Sequence, residues 1–156
     1  MQLPNSIASK IVEDALPWPD STQFHIDAFL QRYTLHDSYW LGLHVNCGWE
    51  ASAIAVIRFD PVWNSSVSAP TSTVADWPLL FVRFTCVASI QLSGFSDIGG
   101  IQRGISEVAV DATSEEEVVT TFHDHYGAVV TFRHFPLIDT LIMSPQGELI
   151  RESSVA

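Results

Sequence analysis

Histidine and aspartate side chains of the kind that bind metal ions lie close together in the last third of the chain. His123, Asp124 and His125 are consecutive, and His134 lies farther along. Because alternate side chains of a β-strand share a face, His123 and His125 would point the same way, and a facing strand would bring His134 to them. Three histidines with one open position form catalytic zinc sites. The alternative is an exposed polar hairpin end that binds no metal.

A second group of chemically active residue types is the consecutive run His36, Asp37 and Ser38. These are the three residue types of a hydrolase triad, but adjacent residues cannot face one another in the required relay. The sequence also has no Gly-x-Ser-x-Gly elbow and no Gly-Lys-Ser/Thr phosphate loop. The run therefore predicts a helix-to-strand junction, and we expect no catalytic residue and no cofactor.

The charge of the chain restricts its partners. Eighteen acidic residues face seven basic ones, which gives a formal charge of -11, and Lys10 is the only lysine. Such a chain repels the phosphates of nucleic acid and anionic membrane surfaces, so neither is an expected partner. A basic protein is the partner that the charge favours. The acidic candidates for contact with it are Glu115, Glu116, Glu117 and Asp124.

Size and composition predict a single domain over residues 1–156. No apolar stretch reaches the roughly 18 residues of a membrane span, and the first residues do not resemble a signal peptide. We therefore expect a cytoplasmic protein, in which Cys47 and Cys86 are buried free thiols.

Two helical segments are predicted near the start of the chain. Ile7, Ile11 and Val12 form a weak apolar stripe before two prolines. Residues 21–33 repeat apolar side chains at the spacing of an amphipathic helix.

The apolar period changes to two after Asp37, which predicts strands at 39–47 and 51–59. On the first strand, Tyr39, Leu41 and Leu43 share one face, and Trp40 takes the other, outward face. The second strand is apolar on both parities and is therefore predicted to be central. A loop is expected over 61–77.

The longest alternation predicts a strand over 79–93, too long to stay flat in a small domain. We expect it to bend at Thr85 and Cys86. Phe84 and Ile90 should be buried at the sheet centre, whereas Arg83 and Gln91 should take a more polar face.

Further strands are predicted at 105–112, 118–122 and 128–135, followed by a hairpin that pairs 139–143 with 148–151. Together these elements predict an α+β fold, with two N-terminal helical segments packed on a largely antiparallel sheet system of about eight strands.

Three segments carry a resemblance to a known family. They are Leu-His-Asp-Ser at Leu35–Ser38, Phe-Asp-Pro-x-Trp at Phe59–Trp63, and the strand from Leu80 to Phe95. Over residues 33–95 the chain resembles small bacterial immunity proteins of polymorphic toxin systems and their uncharacterised relatives. The resemblance implies an acidic, cytoplasmic, non-enzymatic protein that neutralises a toxin. It transfers no residue role.

Two functional hypotheses follow from these observations. The first is a non-enzymatic acidic binding protein of immunity type with a basic toxin as its partner. The second is a metal-binding protein or metal-dependent enzyme that uses His123, His125 and His134. A homodimer is also predicted, through the sheet that carries Trp40 and Trp49, because outward aromatic side chains on a surface with few charges are typical of interfaces.

Overall fold

The computed structural model describes residues 3–19, 23–64, 67, 73–95 and 104–150. Within these ranges the chain forms two α-helices, one 3-10 helix and nine strands in two antiparallel sheets, so the predicted α+β class is confirmed. The helices are α1 (Asn5–Val12), α2 (Ile26–Arg32) and the 3-10 turn Val74–Asp76. The strands are β1 (Gln23–His25), β2 (Tyr39–Asn46), β3 (Ser52–Arg58), β4 (Leu79–Phe84), β5 (Ser89–Ser93), β6 (Ile105–Ala112), β7 (Val118–Asp124), β8 (Val129–His134) and β9 (Leu137–Met143).

The first sheet has the order β1-β9-β4-β3-β2, and the second sheet has the order β5-β8-β7-β6. Inward side chains of both sheets form one buried cluster, which includes Val82 and Phe84 from the first and Phe122 and Phe132 from the second. On its other face, the first sheet is covered by α1, whose Ile7 and Ile11 belong to a second cluster. Coverage on both faces explains why β3 is apolar on both parities, as predicted for a central strand.

The predicted strand 79–93 is divided between the two sheets. β4 belongs to the first sheet and β5 to the second, and Cys86 between them has a left-handed φ of 48°. The chain segment from β8 to β9 crosses beside this bend. The amide of Phe135 donates to the Thr85 carbonyl at 3.0 Å, and the amide of Ala88 donates to the Arg133 carbonyl at 2.8 Å. The bend at Thr85 and Cys86 is confirmed, and it lets two neighbouring strands pass from one sheet into the other.

The bend decides which predicted core residues are central. Phe84 is fully buried on β4, the middle strand of the first sheet, as predicted. Ile90 lies on β5, an edge strand, and is only half-buried, so its central position was wrong. Arg83 is half-buried and pairs with Asp139 at 2.9 Å, and Gln91 is exposed.

A bulge in β2 changes the predicted face of Trp40. The pairing of β2 with β3 shifts register between Trp40 and Gly42. Consequently Trp40 and Leu43 both pack on the cluster between the sheets, whereas Leu41 packs on the α1 side. The Trp40 ring lies edge-on to Phe122 at 5.1 Å. The outward position predicted for Trp40 was wrong because the bulge reverses the alternation.

Some local predictions differ in detail. The helix predicted at 21–33 begins at Ile26, after the short strand β1, and residues 21–22 lie outside the described residues. Cys47 and Cys86 are free, as predicted, but both are exposed because each lies just beyond the end of a strand. The final turn is confirmed by a bridge between Met143 and Leu149, whereas residue 151 is not described.

Among the described residues, no helix has the length and apolar character needed to cross a membrane. The predicted loop 61–77 contains the 3-10 turn, and residues 65–66 and 68–72 within it lie outside the described ranges.

Candidate functional site

The three predicted histidines do not meet. His134 is buried between the sheets, edge-on to Phe84 at 4.6 Å. On β7, His123 is one of the half-buried residues that alternate with the buried ones, so it lies on the face away from the core. It pairs with Val129, at the other end of the β7–β8 ladder from His134. A single metal ion therefore cannot bind both His123 and His134.

Burial lowers the pKa of His134, and its hydrogen bond to the Phe135 carbonyl opposes that effect. Since a carbonyl oxygen only accepts, Nδ1 of His134 donates to Phe135 at 2.6 Å, and Nε2 of the neutral ring accepts from the Thr120 hydroxyl at 2.7 Å. His134 is thus a core residue with both ring nitrogens bonded.

His125 instead lies beside the residues that follow α2. Its Nε2 is 3.0 Å from Oδ1 of Asp37, and Nε2 of His36 is 3.4 Å from Oδ2 of the same carboxylate. One ligand atom from each of these residues lies within 4.8 Å of the others. We call His36, Asp37 and His125 the His–Asp–His cluster.

The cluster lies where the two sheets are joined. The amide of Asp37 donates to the Ile105 carbonyl at 2.9 Å, and the amide of Ile105 donates to the Ser38 carbonyl at 2.7 Å. Asp37 has a φ of 64°, in the left-handed region that aspartate tolerates better than most residues. The predicted helix-to-strand junction is therefore also the connection between β2 and β6.

Gly104 allows His125 to approach the junction. The His125 amide donates to the Gly104 carbonyl at 3.0 Å. A Cβ at position 104 would stand 3.0 Å from Cδ2 of the His125 ring, closer than nine in ten real Cβ contacts. Glycine at this position thus holds the imidazole close to Asp37.

Ser38, the third residue of the predicted run, does not face the cluster as a nucleophile. It is fully buried, and its Oγ accepts from the Asp60 amide at 3.0 Å. Burial raises the pKa of Asp60; the Val62 amide opposes this rise, the Asp37 carboxylate adds to it, and His36 opposes it. The hydrogen bond between Ser38 and Asp60 therefore stabilises the backbone next to Asp37.

The acidic contact candidates differ in exposure. Glu115 and Glu116 are exposed, whereas Glu117 is half-buried and lies 3.6 Å from Arg133. Asp124 is buried, and its Oδ1 accepts from the amides of Tyr126 and Ala128 at 2.8 and 2.7 Å. Asp124 therefore stabilises the β7–β8 turn and is not available to a partner.

The two tryptophans predicted to contact a partner, Trp40 and Trp49, also differ in exposure and surroundings. Trp49 is fully exposed in the turn between β2 and β3. Trp40 lines an apolar groove of about 310 Å³ beside β2 and β5, which also includes Leu92 and Phe95. Sequence reasoning did not identify this groove, because it depends on the bend that brings β5 opposite β2.

Sequence reasoning also missed the pairing of His36 and Asp37 with His125. His125 is far from His36 and Asp37 in the sequence, and no spacing motif links it to them. Comparisons with protein-family models, with curated proteins and with solved structures found no match for this chain.

Proposed function

We propose that this chain is a non-enzymatic acidic binding protein of immunity type, which acts in the cytoplasm by binding a basic protein toxin. The observation that carries the proposal is the concentration of acidic residues in one hairpin. Residues 105–124, which span β6 and β7, contain six of the 18 acidic residues and no lysine or arginine.

Most of these carboxylates point to solvent. Glu107 and Asp111 are exposed on β6, where they alternate with the half-buried Val108 and Val110. Glu115 and Glu116 are exposed in the turn that follows. A patch of one sign attracts an oppositely charged partner over a distance, and this raises the association rate more than the final affinity.

The turn that carries Glu115 and Glu116 is held by its own hydrogen bonds. The amides of Thr113 and Ser114 both donate to the Glu117 carbonyl at 3.1 Å, and the Thr113 hydroxyl donates to it at 2.9 Å. A turn fixed in this way loses little conformational freedom when a partner binds, and this favours affinity.

β6 also has an open edge. Among the described residues it pairs with β7 alone, apart from the contacts of its first residues with the β2 junction. An extended basic segment of a partner can pair with such an edge through backbone hydrogen bonds, while its side chains face the carboxylates.

The test begins with capture of the partner in the native host with the tagged chain. The captured protein should be basic, should inhibit growth when it is expressed alone, and should be harmless when it is expressed with this chain. The association rate of the pair is then measured at low and high salt. We expect it to fall steeply with salt, because salt screens the attraction.

Two variants with equal charge locate the contact. Each removes four exposed carboxylates, which changes the formal charge from -11 to -7 (-11 + 4). The hairpin variant is Glu107→Gln, Asp111→Asn, Glu115→Gln and Glu116→Gln. The control variant is Glu13→Gln, Asp27→Asn, Glu50→Gln and Glu148→Gln.

The hairpin variant should associate at least about tenfold more slowly at low salt, and the control variant should be affected much less. Equal slowing of both variants would mean that net charge alone is responsible. Failure to recover any growth-inhibiting protein partner would contradict the proposed function itself.

A further inference from the structure

The His–Asp–His cluster presents donor atoms of the kinds that transition metals prefer. Two imidazole nitrogens and a carboxylate oxygen bind zinc at about 2.0–2.2 Å, which places neighbouring ligand atoms about 3.3–3.6 Å apart around a tetrahedral ion. Nε2 of His125 and Nε2 of His36 stand 3.0 and 3.4 Å from the two oxygens of Asp37. Asp37 is therefore already near coordination distance of both imidazoles, and one ligand atom from each of the three side chains lies within 4.8 Å of the others.

The hydrogen bond of His36 leaves its other nitrogen free to bind a cation. Nδ1 of His36 lies 3.0 Å from the Ser106 carbonyl, and because a carbonyl only accepts, Nδ1 carries the hydrogen. In the neutral ring, Nε2 then carries the lone pair, and it lies 3.4 Å from Oδ2 of Asp37. An imidazole lone pair and a carboxylate oxygen this close repel unless a proton or a metal ion lies between them. A backbone carbonyl behind an imidazole is also the usual second contact of a metal-bound histidine.

The backbone fixes the three side chains without help from a metal. Hydrogen bonds join Asp37 to Ile105 and His125 to Gly104, so residues distant in sequence are held at one junction. The cluster is half-exposed, and the ring of Trp63 lies edge-on to His36 at 5.8 Å. An ion bound there would keep an open position for water or another ligand.

We propose that Nε2 of His36, the carboxylate of Asp37 and Nε2 of His125 bind one divalent transition-metal ion, with zinc as the representative ion. Nε2 of His125 donates a hydrogen bond to Asp37 when no metal is bound, so it releases this hydrogen to solvent or the ring carries it on Nδ1 when the ion binds. This set shares only His125 with the three histidines predicted from the sequence. The net charge of the chain adds a general attraction for cations.

Zinc chloride alone is the probe, and the protein is the full chain with its affinity tag removed. Calorimetric titration should give one zinc ion per chain, and zinc should raise the melting temperature. His36→Gln and Asp37→Asn should each weaken zinc binding by at least about tenfold. Asparagine is chosen because it tolerates the left-handed backbone of position 37 and keeps the shape of the side chain.

His123→Gln is the matched control, because His123 lies on the same hairpin but outside the cluster. It should bind zinc as the unmodified chain does, and circular dichroism of all variants should match that of the unmodified chain. No saturable zinc binding by the unmodified chain would overturn the proposal. Zinc binding that survives both cluster substitutions, or that His123→Gln removes, would overturn it equally.

The zinc result is independent of the toxin-binding proposal. His36→Gln and Asp37→Asn leave Glu107, Asp111, Glu115 and Glu116 in place, and the hairpin variant leaves the His–Asp–His cluster in place.

Discussion

At the scale of single residues, the two kinds of histidine in this chain differ in what surrounds them. His134 lies between the rings of the core, and its two nitrogens are bonded to Thr120 and Phe135. His36 and His125 face a carboxylate at a half-exposed junction. The same side chain is thus a neutral part of the core in one place and a candidate ligand in another, because the neighbouring charge and solvent differ.

The burial of His134 predicts a pH dependence of stability. Its pKa in the folded chain lies below the ordinary value of 6.5, so just below pH 6.5 the unfolded chain binds a proton that the folded chain does not. Stability therefore falls as the pH decreases from about 6.5 towards the folded pKa, by at most about 1.4 kcal/mol per pH unit for one group.

The substitution His134→Gln tests this dependence, because glutamine can donate to the Phe135 carbonyl and accept from Thr120 but does not titrate. Urea denaturation between about pH 7.5 and pH 5.5 should show a smaller loss of unfolding free energy for the variant than for the unmodified chain. Equal losses for the two proteins would contradict the proposed role of His134.

At the scale of elements, the bend between β4 and β5 determines how one long alternation supplies two sheets. Cys86 adopts its left-handed conformation without being glycine, which costs about 1–2 kcal/mol for ordinary residues. Glycine would remove this cost but would lose about 0.5–1 kcal/mol through its greater freedom in the unfolded chain.

We therefore expect Cys86→Gly to stabilise the chain by up to about 1 kcal/mol and Cys86→Val to destabilise it, because a β-branched residue is poorly tolerated at positive φ. Cys47 is the matched control: it is also free and exposed, and its φ is not positive. Cys47→Gly should therefore not be stabilising. Urea denaturation under reducing conditions measures all three, and a destabilising Cys86→Gly would show that the bend does not require glycine-like freedom.

Most elements could be predicted because they depend on local patterns. The alternation of β3, the place of the bend at Cys86 and the turn at Ser144–Gly147 all follow from neighbouring residue types. The bulge at Trp40 could not be predicted, since one unpaired residue in β2 depends on the register of β3. The strand β1 also escaped prediction, because its three residues form a strand only by pairing with β9.

At the scale of the whole molecule, a group of aromatic rings connects the two sheets. Phe84 of the first sheet stacks on Phe132 of the second at 4.3 Å and lies edge-on to Phe122 at 6.2 Å. The His–Asp–His cluster likewise requires both sheets, since His125 follows β7 and Asp37 precedes β2. A site of this kind could not be predicted from the sequence, because it depends on which strands meet.

Phe84→Ala should cost about 3–5 kcal/mol of unfolding free energy, because the lost ring leaves a cavity between the sheets. Tyr126→Ala is a matched aromatic control at an exposed position, and it should cost about 1 kcal/mol or less. Denaturant midpoints of the two variants measure the difference. An unchanged midpoint for Phe84→Ala would mean that the rings do not hold the sheets together.

Self-association depends on the whole molecule, because charge repulsion and exposed apolar surface act on it in opposite directions. A formal charge of -11 makes two copies repel, whereas fully exposed Trp49 provides apolar surface at the end of the β2–β3 hairpin. Since salt screens repulsion but not apolar burial, the predicted homodimer should become tighter as salt rises.

Sedimentation at tens of micromolar protein should therefore show a larger average mass at high salt than at low salt. Trp49→Ser should reduce that increase, because it removes the largest exposed aromatic side chain of the first sheet's hairpin. Val12→Ser, which removes an exposed apolar side chain from α1, is the control and should leave the increase unchanged. A monomer mass at both salt concentrations, or an equal effect of the two substitutions, would count against a dimer formed through Trp49. Because Trp40 packs inward on Phe122, the predicted dimer contact depends on Trp49 alone of the two tryptophans.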